Sequence, residues 1–160
     1  MAIFMKINGI TGSVSAKQFE GWIALDSLSQ GMSRAMKALV AGEVKNRTPG
    51  RNAFQEFSIQ KSVDSASSAL FSKACQSEFI PEVIIRCVKT QKEVLQTYLE
   101  YTLENVLISR IDKHITTNDA SESLSLSYTK IHERFIPTAS SGQSASPSSA
   151  GYNIETAEVI

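Results

Sequence analysis

Ser123-Leu124-Ser125-Leu126-Ser127-Tyr128-Thr129 places an apolar side chain at every even position and a small hydroxyl residue at every odd one. Successive side chains of a strand point to opposite faces, so this stretch reads as a strand with one face on a core and the other in water. Past Thr129 the parity flips, because Ile131 and Phe135 are odd. An extra residue near Thr129-Lys130, a β-bulge, is the economical explanation. The same flip separates Ile23 and Leu25 from Leu28, and a bulge near Asp26-Ser27 accounts for it. With Leu28 turned toward the core, Ser27 and Ser29 project from the opposite face.

Outward from these segments, period-two alternation with β-branched and aromatic residues predicts a mainly β protein. Met1-Ala2-Ile3-Phe4-Met5-Lys6-Ile7 reads as a first strand, and further strands are expected at 54–61 and 83–89. Leu99, Tyr101, Leu103, Leu107 and Ile111 keep one parity while Val106 and Ile108 make the other face apolar, which predicts a long strand buried on both faces. Strands of that length with bulges are the walls of a barrel or of two strongly curved sheets. One helix is expected at 65–77, capped by Asp64-Ser65 and burying Ala66, Ala69, Leu70, Ala74 and Cys75. It should flank the sheet on its outside. Residues 40–53, with Gly42, Pro49 and Gly50, and the Ser/Gly/Ala/Pro tract 138–150 are predicted as mobile loops. A shorter loop is expected over 111–121.

At 160 residues and 42% apolar content, the chain can bury a core of its own and is expected to form one domain over 1–160. Its 16 basic and 16 acidic side chains cancel, which argues against nucleic acid as a partner. The basic cluster Lys45, Arg47 and Arg51 has no interleaved aromatic on which a base would stack, so it reads as a solvated or partner-facing loop. No apolar run approaches the roughly 20 residues that cross a bilayer, so no membrane insertion is expected. The N-terminus lacks a basic n-region and a long apolar segment, which predicts synthesis in the cytoplasm without a cleaved signal peptide.

Chemistry is sparse. Cys75 and Cys87 have no metal-ligand spacing around them and read as two buried free thiols. Asp112-Lys113-His114 sets an acid two positions from a histidine, but there is no G-x-S-x-G elbow, and His114 reads as a solvated loop residue. His132 is read as exposed or at an interface. Asn46-Arg47-Thr48 is a glycosylation triplet by chance. No catalytic, cofactor-binding or metal residue is predicted, and no enzyme.

Four segments in order carry a resemblance. They are Gly12-Ser13 with Trp22-Ile23-Ala24-Leu25-Asp26-Ser27 and Gly31-Met32, then 57–67 with Lys61-Ser62-Val63-Asp64, then 122–131, and finally Gly151-Tyr152-Asn153-Ile154. Together they resemble the haemolysin-coregulated protein (Hcp) family, the tube protein of type VI secretion systems. Ala16-Lys17-Gln18-Phe19 departs from the Asp-Lys-x-His that the family often has there. The resemblance implies a β-barrel of two sheets with a flanking helix, assembled as a homohexameric ring. It further implies rings stacking into a hollow tube that is exported with sheath and spike proteins and carries or chaperones effectors. Within it, Ser27 and Ser29 line the lumen or merely face outer solvent. Glu43, Lys45, Arg47 and Arg51 are expected in a ring-stacking loop. The competing reading is a monomeric β-barrel that binds a small apolar ligand.

Overall fold

The computed structural model describes residues 1–36, 41–42, 49–137 and 146–160. In chain order the elements are β1 (Ala2–Ile7), β2 (Ile23–Leu25), β3 (Ser27–Ser29), β4 (Met32–Met36), β5 (Pro49–Phe54), β6 (Phe57–Ser62) and α1 (Ser67–Cys75). These are followed by β7 (Ile80–Gln91), β8 (Val94–Ile115), β9 (Ala120–Ser127), β10 (Lys130–Phe135), β11 (Ser148–Asn153) and β12 (Glu158–Val159). Among the described residues the protein is mainly β, with two main sheets, a two-stranded ribbon and one short helix.

Antiparallel pairing runs from β2 round to β3, and the chain itself joins those two ends at Asp26. β1 lies between β7 and β2. β2 leads through Asp26 into β3, which pairs with β6, and β6 pairs with β9. Residues 107–115 of β8 then pair with β9, while residues 94–106 of the same strand pair with β7. β8 therefore belongs to both sheets, and a strand that bends from one sheet into another is what closing a barrel requires. From the first half of β8 the first sheet continues through β10, β11 and β12. β4 and β5 form a separate ribbon.

Both parity flips lie at corners. Asp26 separates β2 from β3, and its N–H donates to the Gln60 carbonyl at 2.8 Å. Tyr128 and Thr129 separate β9 from β10, where the Thr129 N–H donates to the Glu104 carbonyl at 3.1 Å. The bulges expected near Asp26-Ser27 and Thr129-Lys130 are thus corrected to places where the chain leaves one sheet for the other. A change of sheet reverses which parity meets the core, just as an inserted residue does. The Tyr128 hydroxyl closes its corner by donating to the Gln55 carbonyl at 2.9 Å, and burial pushes that phenol above its ordinary pKa although Gln30 donates to it.

The two-faced burial expected for the long strand is corrected in the same way. Leu103 is buried before Asn105, and Val106 and Ile108 after it. Asn105 itself sits at φ 53°, a left-handed conformation that asparagine tolerates. One side of the strand is apolar before the bend and the other after it. The predicted loops also shrink. Pro49–Phe54 is β5 rather than loop, Ser148 begins β11, and residues 111–121 are strand except for the turn between β8 and β9. The rest of the 138–150 expectation falls largely outside the described residues.

The helix is two residues shorter at each end than predicted. Asp64 Oδ1 accepts the Ala66 N–H and Ser67 Oγ accepts the Asp64 N–H, both at 2.9 Å, while Ser65 turns its hydroxyl toward the Thr11 carbonyl. Ala66 and Leu70 enter the core with Ala69 and Ala74 partly buried against it. Cys75 is exposed, which corrects the sequence reading. Five residues of helix rotate it well away from Leu70.

Phe57, Ile59, Leu103, Val106, Leu124 and Leu126 fill the interior, each almost completely buried. A smaller cluster of Phe4, Phe19, Trp22 and Val88 packs beside them. β7 and β8 are joined by Lys92 and Glu93 at φ 47° and 62°, the two left-handed positions of a type I′ turn, for which Asn-Gly is the favoured pair. Replacing Lys92-Glu93 with Asn-Gly is expected to stabilise the protein by about 1 kcal/mol. A melting temperature that failed to rise would contradict this.

Candidate assembly surfaces

The second sheet, β3-β6-β9 and residues 107–115 of β8, has two unlike faces. Register sets Ser27, Gln60, Ser123 and Asp112 in one row, and Ser29, Ser58, Ser125 and Arg110 in the next. A third row holds Ser62, Ser121 and His114. This outward face is a field of small hydroxyls with few charges. Ser27 and Ser29 are exposed on it, on a strand with one neighbour among the described residues, while Leu28 between them packs toward the core beside Ile59. The sequence parity therefore assigned their face correctly.

Asp112 and His114 share this face, yet the Asp112 carboxylate is held by Arg110 Nε at 2.5 Å. It is thus committed to a neighbouring charge rather than to orienting the imidazole. His114 is exposed and lies in β8 rather than in a loop, a correction that follows from the strand continuing to Ile115. His132 is half-buried on β10. A Cβ on Gly151 would come within 2.5 Å of its Nδ1, so the closing Gly151-Tyr152 segment needs a glycine where β11 passes under that ring. Cys87 is buried as expected, and burial pushes its thiol up despite a hydrogen bond from Tyr98. Among the described residues, no group of three or more His, Cys, Asp or Glu is placed to hold a metal ion.

On the inward face the alternation brings two charges where core residues belong. Lys61 continues the buried series Phe57, Ile59, and Glu122 precedes Leu124 and Leu126; both are buried. Lys61 Nζ donates to Glu122 Oε1 at 2.6 Å, to Asp64 Oδ1 at 2.8 Å and to the Ser62 carbonyl at 2.9 Å. Ser67 Oγ, at the start of α1, donates to Glu122 Oε1 at 2.6 Å. Sequence reading passed over this network. Its signal was there, in two charged residues falling on the apolar parity of their strands.

Of the predicted stacking residues, Arg51 is exposed on β5, beside Asn52, which accepts from Arg34 Nε at 2.8 Å. Arg51 shares an open groove with Tyr152 and Glu155. Glu43, Lys45 and Arg47, together with the Asn46 triplet, lie outside the described residues. The structure thus brings Ser27 and Ser29 together on one sheet and sets Arg51 on the separate ribbon.

Residues 4–135 match the profile of the family described as type VI secretion system effector, Hcp. The chain belongs to the Hcp family. Its fold is that of solved family structures. Hcp1 from Salmonella typhimurium superposes with a TM-score of 0.79 at 19% identity, covering 99% of this chain and 98% of that one. A type six secretion system protein gives 0.87 at 15% identity with 99% of each chain covered. A type VI secretion system effector from Yersinia pestis gives 0.69 at 22% identity, covering 94% and 98%. A comparison with curated proteins by sequence returns no match. Hcp membership makes this a type VI secretion protein, in a family of secreted structural proteins rather than a known class of enzyme. A fold can be shared at such low identity because cores tolerate extensive substitution when volume and apolar patterning are kept.

Proposed function

We propose that the protein is a tube subunit of a type VI secretion system, forming homohexameric rings that stack into a hollow tube and carry or chaperone effectors. The observation that carries this reading is the second sheet. Along β3 and along residues 107–115 of β8 it has an open edge at each side among the described residues, and between them lies the hydroxyl-rich face. Open edges attract strands, and two different edges joined head to tail close into a ring or run on as a fibre. Closure with the serine face inward gives a lumen where Ser27 and Ser29 make undemanding hydrogen bonds to passing cargo. The hexameric number comes from the family. On this reading residues 1–160 form one domain, made in the cytoplasm and exported alongside sheath and spike proteins.

The ring-stacking role falls to Glu43, Lys45, Arg47 and Arg51. Each exposed charge pair contributes only about 0.2 to 1 kcal/mol, so stacking should be weak and salt-sensitive. A monomeric ligand-binding barrel is disfavoured because aromatic and aliphatic side chains occupy the interior.

The test combines native mass spectrometry and negative-stain images with a Ser29→Gln variant. Rings are expected for both proteins, with equal melting temperatures, while co-purification and delivery of effectors drop in the variant. Monomer alone at micromolar concentration would sink the tube reading. Undiminished delivery by a hexameric variant would remove Ser29 from the lumen.

A further inference from the structure

One line of side chains crosses the inward face of the second sheet from its interior to an edge that is open among the described residues. Lys61 on β6, Glu122 on β9 and Lys113 on β8 stand opposite one another in register. At its inner end the line is tied to α1 through Ser67 and Asp64. At its outer end Glu122 Oε2, buried and without a hydrogen bond, lies 3.7 Å from Lys113 Nζ. The same ammonium sits 5.5 Å from the centroid of the Phe71 ring on the helix. Lys113 thus bridges sheet and helix on a segment of β8 that has β9 on one side and, among the described residues, an open edge on the other.

A buried ion pair is poor evidence for stability, since well-packed apolar residues of similar volume serve as well or better. What such a pair supplies is discrimination between registers. A slip of one residue would turn Lys61 and Glu122 outward and drive Ser62 and Ser121 into the core. An edge segment held by one neighbour is also the least constrained part of a sheet. A strand adding to it needs its N–H and C=O groups held in one plane and phase.

We propose that the Lys61–Glu122–Lys113 line is an assembly-positioning device, which fixes the register and tilt of residues 107–115 so that a second copy's β3 can add to that edge. The inference rests on the ring reading and names the residues that prepare its interface. Lys113 is the member to test first, because its side chain is partly exposed and its loss leaves the Lys61–Glu122 pair intact.

The experiment measures the concentration at which rings half-assemble, by sedimentation and native mass spectrometry, for wild type, Lys113→Met, Lys113→Arg and the double variant Lys61→Met with Glu122→Leu. Lys113→Met should keep the monomer's melting temperature within a few degrees yet raise that concentration about tenfold, since a weakened cross-strand contribution recurs at every interface of the ring. Lys113→Arg, which keeps the charge, should assemble as wild type does. The double variant should fold and assemble poorly. Unchanged assembly of Lys113→Met overturns the proposal, and if the double variant does not fold, Lys113→Met decides alone. Should wild type itself remain monomeric, the ring reading fails separately. Amide hydrogen exchange over residues 107–115 then judges the positioning role: faster exchange in Lys113→Met upholds it, and unchanged exchange overturns it.

Discussion

Replacing Glu122 alone by leucine is expected to destabilise the protein by about 3 kcal/mol or more, the range seen when one partner of a buried pair is removed. Lys61 has no exposed side-chain surface and loses its 2.6 Å carboxylate contact in this variant. It keeps Asp64 Oδ1 at 2.8 Å, which places the loss at the lower end of that range. Ser67 also loses the acceptor of its hydroxyl proton. Lys61→Met combined with Glu122→Leu removes both charges and should recover part of the loss, because the penalty of an under-compensated buried ammonium is gone while Asp64 is left without its lysine. Urea unfolding at one fixed protein concentration checks both values, since stability in an assembling protein depends on concentration. A single variant less than about 1 kcal/mol below wild type would show that the pair is not desolvated as described.

Phe57→Ala should cost about 3 to 5 kcal/mol, the sum of lost transfer energy and the cavity left behind. Phe57 is fully buried on β6 in the second sheet. Its ring meets Tyr101 edge-on at 5.3 Å and Tyr128 at 5.5 Å. Tyr101 comes from the first-sheet half of β8 and Tyr128 from the corner between β9 and β10. A truncation here therefore opens a gap where the two sheets meet, at a point that neighbouring side chains cannot easily close. Phe71→Ala is the control. That ring is half-exposed on the helix beneath Lys113, and its loss should cost no more than about 1.5 kcal/mol. Equal losses in the two variants would contradict the placement of Phe57 at the sheet junction.

Much of this was legible in the chain because a strand's side-chain period is two. Leu124 and Leu126 had to share a face, Ser27 and Ser29 had to oppose Leu28, and Ala66 and Leu70 had to lie together on a helix. The resemblance to the Hcp family rested on residues that serve these positions. Lys61, Glu122 and Gly151 were part of it, although their physical roles were not read from the sequence. Lys61 and Glu122 are far apart in the chain, and only the register of β6 against β9 sets them face to face.

Parity alone announced that something happened at Asp26 and at Thr129, but it could not say what. A bulge and a change of sheet both exchange the buried parity, and they differ only in which strand is paired on the far side. That is a long-range fact. The same holds for β8, whose two apolar faces in sequence become one continuous core surface once the strand bends at Asn105. The sequence by itself determined the alternation, the helix and the family, since these depend on local geometry and on the order of residues. Tertiary structure alone decided that the strands curve into a barrel, that two charges meet inside it, and that two edges stay open among the described residues, because pairing partners are chosen across the chain by which surfaces can be buried together.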